Sequence, residues 1–229
     1  MAEFEGFPTQ TLAFLKQLAN NNERDWFNRN KQRYETLVRE PALAFIEGMA
    51  PRLNAISEHF SAFAKKSGGS LMRVHRDTRF ARDKAPYKTN IGIQFRHVLG
   101  KDVHAPGFYL HIEPGRCFIA AGIWHPETKT LARIREFIAD NPAAWRSALA
   151  HPPFKRHFRL DGDCLTRPPR GYSADHPLIG DLKRKDFIAM RAFECERIES
   201  ARFSDFVAKG FRDTTPLMRY LCTAVEVNF

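Results

Sequence analysis

The chain has 229 residues, 43% of them hydrophobic, 20 Phe and a formal net charge of +10, which indicates a folded globular protein and excludes a disordered one. This length is enough to bury a hydrophobic core as one large or two small domains, and we favour a single α+β domain over residues 1–229. The charge is local, because residues 65–101 contain ten Lys and Arg against two Asp and so carry +8 of the +10.

Helical spacing of apolar residues predicts that residues 9–60 are helical. Leucines recur on one helix face over residues 12–18, and an apolar stripe continues over residues 45–60. Pro41 interrupts or restarts the pattern, so we expect two or three helices that cover a sheet, with Asn22 as the cap of the second.

From residue 71 the apolar period changes to two, which predicts a mainly antiparallel sheet of about four to six strands with its core in residues 71–124. The chain from Leu71 leads into a first strand, and the alternation over residues 91–96 predicts a second. Residues 106–124 are typical of a hairpin that turns at Pro114-Gly115. We expect helices from both ends of the chain to cover this sheet.

The register of the predicted hairpin gives it one apolar face and one polar face. Opposite residues share a face, so Tyr109 lies beside Ala120 and His111 beside Phe118, and Trp124 joins them. Three small residues on the polar face leave room for a ligand or, alternatively, admit a crossing helix: Gly92, Ala120 and Gly122. The apolar face carries Phe108, Leu110, Ile112, Cys117, Ile119, Ala121 and Ile123.

The second half of the chain continues the alternation of helices and strands. We expect helices and a loop over residues 127–180, a strand over residues 185–195 and C-terminal helices over residues 199–227. Asn141-Pro142 and Thr215-Pro216 each have the pattern of a cap followed by the first helical residue.

Charge is densest between Leu71 and Lys88, in the connection between the first two predicted strands. Arginine forks suit bidentate binding of phosphate or carboxylate, whereas lysine acts as a mobile point charge. Because converging cations need an anion to relieve their repulsion, we predict an anion-binding loop. Its predicted ligand-binding residues are Arg73, Arg76, Arg79, Lys84, Tyr87 and Lys88.

Further residues are predicted to support this loop. Asp77 is expected to orient an arginine rather than to act as a base, because neighbouring cations keep a carboxylate ionised and lower its pKa. Phe80 is expected to anchor the loop by packing. Tyr109 and Trp124, on the polar sheet face, complete the predicted ligand-binding set.

His111 is the candidate general acid or base, because a histidine pKa lies near neutrality. Together with Glu113 and His125 it forms the only group near the loop that suits acid–base chemistry or a metal. No spacing motif brings these three side chains together, and the cationic loop disfavours a bare divalent ion, so we predict no intrinsic metal and no cofactor. Cys117 is predicted to face the core, which makes it a poor nucleophile.

The loop resembles the signature of a widespread bacterial family, also found in fungi, that is described only as a domain of unknown function. The resemblance starts with R-x-x-R-D-x-R-F from Arg73 and continues with D-K-x-x-Y-K from Asp83. The later segments GFYLHIEPG and GIWHPE extend it over nearly the whole chain. The resemblance implies family membership but no activity, because the family has no established one.

Three functions fit these observations. The first is recognition of a phosphorylated or other anionic small ligand between the basic loop and the polar sheet face, with or without a reaction. The second is a nucleic-acid-binding module that contacts phosphates through the same cations and stacks bases on aromatic rings. The third is a structural network in which the arginines pair with acidic residues of the N-terminal helices, such as Glu23, Asp25 or Glu35.

The absence of several sequence motifs limits the functional class of the protein and its cellular location. The four cysteines are widely separated with no C-x-x-C pair, which argues against a zinc module or a disulfide framework and favours a reducing cytoplasm. The N-terminus lacks the pattern of a signal peptide, and no window approaches the roughly 18 apolar residues of a membrane span. Neither G-x-x-x-x-G-K-[ST] nor G-x-G-x-x-G occurs. We therefore expect a cytoplasmic protein with no membrane partner; the sequence leaves its oligomeric state open.

Overall fold

The computed structural model describes residues 4–79, 81–100 and 105–229. Within them the strands are β1 (Phe60–Ser61), β2 (Ile91–His97), β3 (Gly107–Glu113), β4 (Arg116–Ile123), β5 (Arg159–Asp161) and β6 (Phe187–Phe193). They form one antiparallel sheet in the order β1-β2-β3-β4-β6-β5. This sheet and its flanking helices confirm the α+β prediction and the expected number of strands. Phe80 lies outside the described residues.

Helices precede, interrupt and follow the strands. Before the sheet come α1 (Gln10–Asn20), α2 (Arg24–Arg29), α3 (Lys31–Tyr34) and α4 (Glu40–Asn54). Between the strands lie α5 (Thr128–Asp140), α6 (Pro142–Ala150), α7 (Pro152–His157) and α8 (Ile179–Leu182), and the chain closes with α9 (Phe203–Asp213) and α10 (Thr215–Ala224). A π-helical turn at Glu35–Arg39 precedes α4, and a 3-10 helix at Cys195–Glu199 follows β6. None of the described helices is both long and apolar enough to cross a bilayer.

The hairpin of β3 and β4 has the predicted register. Glu113 pairs with Arg116 and His111 with Phe118, so the turn is Pro114-Gly115 as expected. Its predicted apolar face is buried against the C-terminal helices, where the ring of Phe211 in α9 lies 4.7 Å from that of Phe108. The polar face of the sheet therefore remains on the side away from α9.

The first strand of the sheet is not where the alternation predicted it. Leu71 makes an isolated bridge to Ile93, whereas His75 makes one to Tyr87 on the returning chain, so no run of consecutive pairs forms. The edge strand is instead the two-residue β1, which pairs with the end of β2. The three-residue β5 is also new, within a range predicted as helix and loop, because three residues are too few to show an alternation.

Two predicted helix caps differ from the structure. The Asn22 side chain binds the backbone of Tyr87 rather than capping α2, as described below. The helix α10 starts at Thr215, so the cap position is Thr214, one residue before the predicted cap. The helix α6 begins at Pro142 after Asn141, as predicted.

Candidate functional site

A cleft of about 580 Å³ lies on the polar face of the sheet. Its aromatic lining comes from β3, β4 and the residue that follows β4, and it comprises the predicted site residues Tyr109, His111 and Trp124 together with Phe118. Its charged lining residues are Lys88, Arg116 and Asp161. Trp124 has 49% of its surface exposed, so its indole lies at the solvent side of the cleft.

A series of hydrogen bonds runs along β3 beneath this cleft. The Tyr109 hydroxyl lies 3.1 Å from His111 Nδ1, and His111 Nε2 lies 3.1 Å from Glu113 Oε2. The hydroxyl of Thr89 donates to the other oxygen of Glu113 at 3.0 Å, and the Asn90 amide nitrogen lies 3.4 Å from His111 Nδ1. Residues 109, 111 and 113 share one face of a strand, so the sheet itself aligns these side chains.

Burial dominates the electrostatics of this series. It lowers the pKa of His111, which Glu113 opposes by favouring the imidazolium. It raises the pKa of Tyr109 to about 12, and the charge of Glu113 acts in the same direction. At neutral pH both groups are therefore uncharged, and His111 stacks on Phe118 with ring centroids 4.6 Å apart.

Two of the predicted loop arginines form ion pairs within the loop itself. Arg76 pairs with Asp83 at 2.5 Å, and Arg79 makes a fork to both oxygens of Asp77 at 2.7 and 3.0 Å. The hydrogen bond from Arg79 lowers the pKa of Asp77 to about 2. Lys84 donates to the carbonyl of Thr78 at 3.0 Å.

The partners of these arginines were not the ones that the sequence suggested. Glu35, one of the proposed acidic partners on the N-terminal helices, pairs instead with Arg39 at 2.6 Å. The acidic partners of Arg76 and Arg79 are only seven and two residues away in sequence, because the tip of the loop folds back on itself. Arg76, Arg79 and Lys84 do not line the cleft among the residues described.

Lys88 is the predicted loop cation that does line the cleft. The loop narrows at its base to a short ladder, in which Lys88 N–H donates to the carbonyl of Val74 at 2.7 Å. Burial, and then the neighbouring charge of Arg73, lower the pKa of Lys88. Within the described residues the Lys88 ammonium has neither an ion pair nor a hydrogen-bond acceptor.

Tyr87 lies on the opposite side of this ladder from the cleft. It is only 4% exposed, and its ring stacks on Phe27 of α2 with centroids 4.1 Å apart. The Asn22 amide donates to the Tyr87 carbonyl at 2.9 Å and accepts from its N–H at 3.0 Å. The structure therefore places Tyr87 in the core and gives it a fastening role. Sequence reasoning missed Asn22 because the two residues are 65 positions apart.

The small residues of the polar face do not all create space. A Cβ on Gly92 would lie 2.8 Å from the Tyr109 hydroxyl and 3.1 Å from the Met72 sulfur, so these groups already fill the position above it. Gly122 has φ +134°, and a Cβ there would collide with the carbonyl oxygen of Phe187. Gly122 is thus required by the close approach of β6, and both Gly122 and Ala120 line the cleft.

His125 is not brought together with His111 and Glu113. Its Nδ1 lies 2.9 Å from Asp186 Oδ1, and the same oxygen accepts from the His125 backbone N–H at 2.8 Å. Asp186 is 1% exposed and also accepts from Asp163 N–H, so it joins the ends of β4 and β5. In the described part of the chain, no three His, Cys, Asp or Glu side chains are placed to hold a metal ion.

The comparisons with known proteins identify a family but no activity. A family model described as conserved hypothetical protein (DUF2461) matches residues 10–220 of the chain. A comparison with curated proteins gave no match. The matched range includes the loop, the cleft and the hydrogen-bonded series of β3.

Proposed function

The chain belongs to the DUF2461 family of conserved hypothetical proteins, and we propose that it binds a phosphorylated or other anionic small molecule in the cleft above the sheet. The observation that carries this proposal is Lys88, a half-buried ammonium on the cleft wall that makes no ion pair within the described residues, although Asp161 lines the same cleft. A buried charge is costly unless it is paired, so a bound anion would stabilise it.

The other lining residues suit the same ligand. The Arg116 guanidinium lies 5.3 Å from the centroid of the Phe118 ring, so its charge is placed beside the cleft. Trp124, whose ring centroid lies 4.3 Å from that of His125, borders the cleft at its solvent side. A volume of about 580 Å³ is within the range of small-molecule sites, which combine apolar walls with a few polar groups.

The proposal moves the centre of the site from the tip of the loop to its base. Lys88, Arg116, Tyr109 and Trp124 contact the ligand, and Arg73 adds positive potential beside Lys88. The pairs Arg76–Asp83 and Arg79–Asp77 shape the loop. The cytoplasmic location is a prediction from the spacing of the cysteines.

A thermal-shift series tests this placement. Inorganic phosphate, pyrophosphate and adenosine monophosphate are added at constant ionic strength to wild type, Lys88→Ala and Arg116→Ala. We expect stabilisation of wild type and its loss in both variants, because a hydrogen bond to a charged group is worth about 1.5–3 kcal/mol, or at least tenfold in affinity. Lys129→Ala, an exposed lysine of α5, is the matched control.

Two further variants separate the alternatives. If Arg79→Ala and Lys84→Ala abolish the shift while Lys88→Ala does not, the ligand binds at the tip and our placement is wrong. Binding of a single-stranded oligonucleotide whose affinity falls with salt, at a slope of roughly −0.7 per phosphate neutralised, would favour the nucleic-acid function instead. No stabilisation by any of these anions would leave the loop as a structural network.

A further inference from the structure

We propose that an anion in the cleft binds together with a proton, which His111 takes up and which turns the Tyr109 hydroxyl towards the anion. This inference rests on the proposed function of the cleft. It assigns Tyr109 as the hydrogen-bond donor to the ligand, and it assigns His111 and Glu113 as the groups that control when that donor is available.

The hydrogen bonds of the structure define the starting state. A carboxylate only accepts hydrogen bonds, so the 3.1 Å contact to Glu113 requires a proton on His111 Nε2. In the neutral imidazole the other nitrogen then has a lone pair and no proton. His111 Nδ1 therefore accepts from the Tyr109 hydroxyl at 3.1 Å, which is nearer than its other donor, the Asn90 amide nitrogen at 3.4 Å. In this state the Tyr109 proton points at His111 and is not available to a ligand.

Protonation of His111 reverses this bond. When a proton from solvent binds Nδ1, that nitrogen becomes a donor, and Tyr109 can meet it only with an oxygen lone pair. The hydroxyl hydrogen must then rotate away from His111. Tyr109 lines the cleft, so its hydroxyl can then donate a hydrogen bond to an anion bound above the sheet. No covalent bond other than the new N–H forms.

The groups around His111 set the energy of this step. Glu113 on the same strand stabilises the imidazolium, whereas Arg116 from β4 disfavours it, and burial disfavours it most. Asn90 contributes an amide donor at 3.4 Å that also prefers the neutral ring, while Gly92, opposite His111 on β2, brings no charge. Lys88 and Asp161 of β5 line the same cleft and bring charges of opposite sign.

A bound dianion supplies the missing stabilisation. It adds negative charge to the cleft that contains His111, so the pKa of His111 is higher with the anion bound than without it. Between these two pKa values each anion brings up to one proton with it. By reciprocity the affinity for the anion falls as pH rises through this interval, by up to about tenfold per pH unit.

Sulfate is the probe that tests this inference, because its charge is constant across neutral pH. Protein labelled with ¹⁵N-histidine is titrated by NMR with sodium sulfate, and with sodium chloride at equal ionic strength, between pH 6 and 8. His111→Gln assigns the resonance. We expect a larger imidazolium fraction in sulfate than in chloride at the acidic end of this range, with an increase in the His111 pKa of about one unit for a tenfold coupling.

Two variants separate a role in ligand binding from a structural role. Tyr109→Phe should weaken sulfate binding about tenfold, because it removes the proposed donor to a charged acceptor. His111→Gln should flatten the pH dependence of affinity relative to wild type. An unchanged slope in this variant would overturn the assignment of the proton to His111.

The outcomes also distinguish this inference from the proposed function. Sulfate binding that Lys88→Ala and Arg116→Ala abolish, with His111 still neutral or with affinity unchanged in Tyr109→Phe, would overturn the proton coupling and leave the anion site intact. No binding of sulfate or of pyrophosphate to wild type would overturn both.

Discussion

Replacing Asn22 by Ala should detach the base of the basic loop from the N-terminal helices. The side chain makes two hydrogen bonds to the backbone of Tyr87, at 2.9 and 3.0 Å, and they are the only partners of that N–H and carbonyl within the described residues. At about 1 kcal/mol for each bond, the free energy of unfolding should fall by about 2 kcal/mol. For a protein of 229 residues this corresponds to a decrease in Tm of roughly 4–8 °C.

Urea unfolding followed by circular dichroism measures this change, and Asn21→Ala is the matched control. Asn21 is exposed, and its side chain makes one local bond to the carbonyl of Gln17. We therefore expect the control to lose clearly less stability, as is usual for surface substitutions. Equal losses in the two variants, or no loss in Asn22→Ala, would refute the idea that this amide fastens the loop.

Two other predictions follow from backbone geometry and from charge. Gly122→Ala should lower the free energy of unfolding by roughly 3 kcal/mol, because the φ of Gly122 is +134° and an added Cβ would collide with the backbone of Phe187. Gly115 has φ +80° but open space around it, so Gly115→Ala should lower the free energy of unfolding by only about 1 kcal/mol. Equal chemical-denaturation midpoints would contradict this difference. NMR titration should place the carboxyl pKa of Asp77 at about 2 and return it towards about 4 in Arg79→Gln. Because the pKa of Asp77 is lower in the folded than in the unfolded state, the stabilisation from this ion pair is complete above about pH 4 and is lost as pH falls through 2. An unchanged Asp77 pKa in Arg79→Gln would disprove the pairing.

The proposed site combines the basic loop with strands that follow it directly in sequence. The loop base lies beside β2, and β3 follows, so the short connections of an antiparallel sheet bring Lys88 and Tyr109 to one cleft. The two clusters that sequence reasoning kept separate, basic loop and aromatic face, therefore meet at Lys88 rather than along the whole loop.

The sequence by itself determined the hairpin, its two faces and the position of the cleft floor. These follow from local rules, because side chains alternate along a strand and a two-residue turn sets the register between Glu113 and Arg116. The burial of Cys117 and the polar environment of His111 were predictable for the same reason. Membership of a conserved hypothetical family was also expected from the sequence, and the family model matches residues 10–220.

Only the tertiary structure decided which charged groups serve the cleft. The sequence shows how many cations the loop has, but not that Arg76 and Arg79 pair with acidic residues of the loop itself. Nor does it show that the side chain of Lys88 lines the cleft while that of its neighbour Tyr87 packs in the core. The hydrogen bonds from Asn22 to Tyr87 span 65 residues, and no local pattern encodes them. The partner of a side chain depends on which groups lie near it in space, whereas the periodicity of apolar residues depends only on neighbours in the sequence.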